Sequence, residues 1–216
     1  MNIRSFLNFA VISVVIGITP AMAKGNQPDR QTRQLFAMTP SDFQRVVDLK
    51  DDSLEPIAVL TTMQGFQKKA GLLGVVYSDS FLRAFVNKDT GATTFQVFVY
   101  MSYDAEWQFF QSVNFRTQSG LHSAVLTVIG RDVLSCNSIG CLHVEKVGFG
   151  LTENDVRWIA NQYDPQTPNP WQFRLKAKSG NDPTGNLMPA EFAGILAAVE
   201  SYRQKHGIVP KTTPTP

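Results

Sequence analysis

Between Leu54 and Phe149 the chain is a succession of apolar runs, several of them alternating, separated by polar and glycine-containing turns. A period of two belongs to a pleated strand, whose successive side chains reach opposite faces, so this stretch predicts several strands in succession. Phe81 to Asn87 and Ala92 to Tyr103 flank Lys88-Asp89-Thr90-Gly91, a glycine-containing connection that reads as a hairpin. In the second run Phe95, Val97, Val99 and Met101 share one face, and Gln96, Phe98 and Tyr100 share the other. Both faces carry apolar residues, which predicts a central strand covered on both sides. Leu54 to Met63 contains Ile57, Val59 and Thr61, and Pro56 near its start points to an edge strand. Trp107 to Arg116 is expected to continue the sheet. Leu121 to Ser135 is a long apolar run with Gly130 as a bulge, and Cys141 to Phe149 returns antiparallel to it.

The period then changes. Thr152 opens a helix with Val156, Ile159, Ala160 and Tyr163 on one face. Thr152 is a good N-cap, with Asp155 three residues on, and Leu151 and Val156 are spaced for a hydrophobic staple. Trp171 to Lys178 alternates most cleanly: Trp171, Phe173, Leu175 and Ala177 face a core, while Gln172, Arg174, Lys176 and Lys178 face solvent. A last helix begins at Pro189, ends before Gly207 and carries Phe192, Ile195, Leu196, Val199 and Tyr202 as its stripe. Near the start, Thr39-Pro40-Ser41-Asp42 marks a short helix with Phe43, Val46 and Val47 as its apolar face.

Strands in succession followed by helix, strand and helix predict an α+β fold: a mainly antiparallel sheet with two helices of the C-terminal half packed on it. A β-sandwich with peripheral helices is the alternative. Four segments are expected: a signal peptide over 1–23, a flexible leader over 24–38, one domain over 39–208, and a disordered Pro/Thr tail over 209–216. The first segment has Arg4, an apolar stretch from Phe6 to Ile18, Pro20 and the cleavage triplet Ala21-Met22-Ala23. That stretch is shorter than the roughly 20 residues a membrane span needs. The expectation is export, with cleavage after Ala23 and a mature chain that begins at Lys24 and is periplasmic or secreted.

Twenty basic residues against 18 acidic ones give a net charge of +2. That balance is no footprint for nucleic acid, which needs a clustered basic surface. No later run is apolar enough to span a membrane. Cys136 and Cys141 bracket Asn137-Ser138-Ile139-Gly140 between two strands, and an even cysteine count in an exported chain predicts a disulfide. A metal site would have to recruit His143 and His122 to these cysteines at a spacing unlike that of structural zinc. No metal and no cofactor is expected.

No G-x-S-x-G elbow positions a serine for nucleophilic catalysis. His206, in the last turn of the final helix, suits the helix dipole. Asp51-Asp52 reads as a solvated loop, and Glu145 is the acidic residue whose burial would matter most. Two surfaces are candidates for contact. Arg174, Lys176 and Lys178 form a cationic stripe suited to anions or to solubility. Trp107, Phe109 and Phe110 include adjacent aromatics, one of which must point away from the core in a strand. The expected function is an exported envelope binding or accessory module without catalysis, whose partner is an envelope protein or ligand. The alternative is an envelope-polymer hydrolase.

Overall fold

The computed structural model describes residues 30–63, 68–70, 75–104, 106–138 and 140–209, with backbone alone for 68–70 and 75–77. The expected signal peptide, the leader up to residue 29 and the tail from residue 210 lie outside the described residues. In chain order the elements are α1 (Arg30–Ala37), α2 (Pro40–Arg45), β1 (Asp48–Lys50), β2 (Ile57–Thr61), β3 (Lys68–Ala70), β4 (Val75–Asn87), β5 (Thr93–Tyr103) and β6 (Phe110–Thr117). They continue with β7 (Gly120–Val125), β8 (Thr127–Cys136), β9 (Cys141–Leu151), α3 (Glu153–Ala160), β10 (Trp171–Ala177), β11 (Thr184–Leu187) and α4 (Pro189–Lys205).

The strands form two antiparallel sheets. One has the order β1-β2-β4-β5-β9-β8, with β3 also paired to β4; the other has the order β11-β10-β6-β7. The α+β class holds: α3 and α4 are the two helices expected in the C-terminal half and α2 is the short helix expected at Thr39, while α1 is additional, so helices are not confined to the C-terminal half. Residues 30–37, expected in the flexible leader, form α1 and bury Leu35. Leu35 joins Phe43, Met188 and Ala190 in a small apolar cluster, which supplies the burial a short helix needs in order to persist.

Three strand expectations change. Trp107 to Arg116 does not extend the first sheet: β6 pairs with β10 and β7 in the second. The long run from Leu121 divides at buried Leu126, where the chain passes from β7 in one sheet to β8 in the other. β2 is not an edge strand, because the three-residue β1 pairs outside it; Pro56 stands before the strand and removes no ladder hydrogen bond. The Gly130 bulge is present, with a register shift between Val128 and Gly130 and a second between Val133 and Ser135.

The inner face of the first sheet carries Leu82, Ala84 and Val86 from β4, Val97 and Val99 from β5, and Val147 and Phe149 from β9, all essentially buried. The second sheet and α4 cover it together. Phe149 stacks with Phe115 of β6 and meets Phe173 of β10 edge-on, both at 5.2 Å between ring centres, and Trp171 meets Phe192 of α4 at 5.4 Å. Offset and edge-on geometries of this kind favour the ring quadrupoles. β5 is central, as expected, but its outer face is half-buried and not fully covered as the second apolar face predicted. Phe98 there stacks on Phe81 at 4.7 Å, and the Arg83 guanidinium sits 4.6 Å above the Phe98 ring.

Local chemistry explains the element ends. Thr39 and Thr152 each accept the amide of the third helical residue, Asp42 or Asp155, whose carboxylate accepts the threonine amide in return. The β4–β5 turn closes on Gly91, whose φ of 69° lies in the region that glycine enters at little cost. Arg203 then ties α4 to that turn by donating to the Gly91 carbonyl and to Thr93 Oγ1. α4 crosses α2 at Gly194, where an added Cβ would lie 2.6 Å from Phe43 Cβ and 2.9 Å from the Pro40 carbonyl.

Candidate functional site

Glu145 is fully buried on the core side of β9. An ionised carboxylate in such a place needs donors for its lone pairs. Its Oε1 accepts from the Tyr103 hydroxyl and, at 2.9 Å, from the Phe109 amide. Its Oε2 accepts from Arg131 Nε at 2.9 Å. Strand register brings these groups together: Glu145 lies opposite Met101 on β5 and Arg131 on β8, and the next row of this face holds Tyr103, His143 and Val133.

The segment before β6 is fastened over this row. The Gln108 amide donates to Tyr103 Oη at 3.1 Å, and Ser179 Oγ donates to Gln108 Oε1. The Lys178 amide donates to the Phe109 carbonyl at 3.1 Å. Phe109 has a φ of 51°, a left-handed conformation uncommon for a residue with a Cβ. That conformation aims its amide at Glu145 while its ring turns outward, 39% exposed; the next residue, Phe110, is 2% exposed. Of the two adjacent aromatics, Phe109 is therefore the outward one.

A solvent-facing surface results. The Trp107 ring lies 4.4 Å from His143 and 6.0 Å from Phe109, and the Arg131 guanidinium stands 5.0 Å above the Phe109 ring. Burial and the bond to Glu145 hold the Tyr103 phenol above its ordinary range, so it remains a donor. With both oxygens occupied and no exposure, Glu145 is placed to orient Tyr103, Phe109 and Arg131 rather than to meet a substrate.

The other candidates fall elsewhere. Cys136 and Cys141 are partners in the β8–β9 register and form a disulfide, so they are not thiolate ligands. His122 is on β7, in the other sheet from His143. No group of three or more metal-ligating side chains occurs among the described residues. Of the cationic stripe, Arg174 is exposed on β10, while Lys176 pairs with Asp182. The Lys176 hydrogen bond, the Ala177 amide and the charge of Arg174 hold the Asp182 carboxyl below its ordinary range. Lys178 follows the strand end and is exposed. Asp51 and Asp52 are engaged: Asp51 pairs with Lys88 at 2.5 Å and accepts from Tyr202, and Asp52 accepts the Leu54 amide.

Two arrangements escaped the sequence reading. Ser119 Oγ lies 2.7 Å from His122 Nε2 on the exposed β6–β7 turn, because Phe115 pairs with His122 and brings the turn residue alongside. Among the described residues no carboxylate orients that histidine, which stacks on Phe115. Glu191 is buried at the start of α4 and accepts from Thr62 Oγ1, with buried Asp79 adding repulsion. An acidic residue in a first helical turn ordinarily reads as a solvated dipole partner, so no local signal marks its burial.

Among the described residues no helix is long and apolar enough to cross a membrane. Comparison with known protein families, with curated proteins and with solved structures finds no match for this chain.

Proposed function

We propose that this chain is an exported binding or accessory module of the cell envelope that engages its partner without catalysis, through the surface formed by Trp107, Phe109 and Arg131. The observation that carries the reading is Glu145: a buried carboxylate spends its accepting capacity on holding Phe109, Arg131 and Tyr103 in place beneath a solvent-facing aromatic surface. Aromatic rings suit a contact surface because they bring large area at small entropic cost, and an arginine already held by Glu145 has less freedom left to lose. The proposed export rests on residues 1–23, and the proposed compartment is the periplasm or the exterior.

The test is quantitative affinity capture from an envelope extract, read by mass spectrometry, with wild type beside the Trp107→Ala, Phe109→Ala double variant. The proposal expects a specific component with wild type and its loss with the variant. Equal recovery by both, or no specific component with wild type, rejects it. N-terminal sequencing of the protein from the envelope fraction should begin at Lys24; an intact Met1 would reject processing at Ala23.

A further inference from the structure

We propose that the pocket between α3 and α4 is a binding site for a small apolar monocarboxylate. It lies apart from the surface of Trp107, Phe109 and Arg131: it is lined by Phe95, near the start of β5, whereas Tyr103 ends that strand. Leu196 and Val199 of α4 add apolar lining, and Leu196 stays half-buried although it belongs to the apolar stripe of the helix. Glu153 and Arg157 of α3 and Glu200 and Arg203 of α4 supply the polar groups. The volume is about 310 Å³, at the lower end for small-molecule sites, which combine an apolar lining with a few placed polar groups.

Arg203 is the placed polar group. Its side chain is 8% exposed. Of the five N–H groups of a guanidinium, three are spent on the β4–β5 turn. Nε donates to the Gly91 carbonyl at 3.1 Å, and Nη2 donates to that carbonyl and to Thr93 Oγ1, both at 2.8 Å. These bonds fix the guanidinium and leave the N–H groups of Nη1. Glu200 Oε2 stands 3.9 Å from Nη1, beyond hydrogen-bond distance, and Nη1 makes no hydrogen bond among the described residues. Among those residues the one buried side-chain atom without a partner is Arg83 Nε, so Nη1 is open to solvent. A charged donor held in place by other bonds binds an acceptor with little ordering left to do.

Charge selects the ligand. Arg157 donates from Nε at 3.0 Å and from Nη2 to Glu153 Oε1, so that pair is closed within α3. Glu200 is 57% exposed and its Oε1 already accepts from Gln204, so its loose contact with Arg203 yields to a better-placed acceptor. A neutral ligand leaves the charge of Arg203 unanswered, and a cation is repelled by it. A dianion such as a phosphate monoester brings a second negative charge beside Glu153 and Glu200. A single negative charge on an apolar body answers both the free donors of Nη1 and the apolar lining, and a carboxylate carries that charge at neutral pH.

Titration of the isotope-labelled protein with octanoate, followed by amide NMR, tests the proposal. Saturable shifts are expected in α3, in the C-terminal half of α4 and at the start of β5. Octanamide, which has the chain without the charge, should bind about tenfold more weakly. Leu196→Trp fills the pocket and should abolish the saturable shifts. Glu200→Gln removes the opposing charge and should tighten octanoate binding about fourfold. Circular dichroism checks that each variant is folded. If Leu196→Trp is not, octanamide and Glu200→Gln, at an exposed position, still decide. Four results overturn the proposal: no saturable shift with octanoate, equal binding of octanamide, undiminished binding by folded Leu196→Trp, or binding that does not tighten in Glu200→Gln.

Discussion

Replacing Glu191 with glutamine should change the pH dependence of stability more than the structure. Glu191 is 1% exposed, and burial, with the charge of Asp79 added, pushes its carboxyl up to about 8 from an ordinary value of 4.5. The Thr62 hydroxyl and the Leu82 and Met188 amides pull the other way without overcoming desolvation. Below the ordinary value the folded and unfolded chains both hold this proton, and the group has no linkage effect. From there up to about 8 the unfolded chain has lost the proton while the folded chain retains it. Stability therefore falls with rising pH by about 1.4 kcal/mol per unit, and it levels off once both states are ionised. Over the whole window the loss is about 5 kcal/mol. Glutamine keeps the shape and the acceptor for Thr62 Oγ1 but cannot ionise. Carboxylates away from Glu191 and Asp79 behave alike in both proteins and cancel in the difference. Urea unfolding followed by tryptophan fluorescence should show Glu191→Gln gaining about 3 kcal/mol over wild type between about pH 5 and about pH 7. A difference that stays constant over that interval would refute a buried carboxyl titrating near 8.

Glu145→Ala should cost about 3 kcal/mol, at the low end for a broken buried ion pair because Arg131 is a third exposed and can turn to water. A change in urea midpoint equivalent to less than about 0.5 kcal/mol would show that Glu145 does not hold this site. Gly194→Ala should cost about 1–3 kcal/mol, since the new methyl meets Phe43 and the α2 backbone; a stabilised variant in thermal unfolding would contradict the close crossing. Thiol titration of the denatured, unreduced protein should find no free thiol, and reduction should lower stability by about 2 kcal/mol for so short a loop. Two titratable thiols would remove the disulfide.

The parts of this fold that are legible along the chain depend on residues a few positions apart. Lys88 to Gly91 closes a hairpin, Thr152 and Asp155 cap a helix, and Pro189 opens another because each end completes its own hydrogen bonds or dihedral requirements locally. Alternation from Trp171 to Leu175 divides buried from outward residues, since a pleat forces that division whichever sheet the strand joins; the division fades at Lys176 and Ala177, both half-buried, where the register shifts. Alternation predicts only that one of Phe109 and Phe110 points outward; Phe109 lies before β6, and its left-handed backbone, which could not be read from its neighbours, makes it the outward one.

Tertiary structure alone decided which sheet each strand enters and which polar groups are buried. β6 reads as a continuation of the first sheet, yet it pairs with β10, whose residues lie about sixty positions later: Phe115 faces Phe173. Nothing near Glu145 in the chain names Tyr103, Phe109 or Arg131 as its partners; strand register and a returning loop deliver them. The capping aspartates show the contrast. Asp42 and Asp155 find their partners within a helical turn, so their roles can be read from the sequence. Glu145 and Glu191 are buried by distant segments, and burial, unlike capping, is a property of everything that packs around a residue.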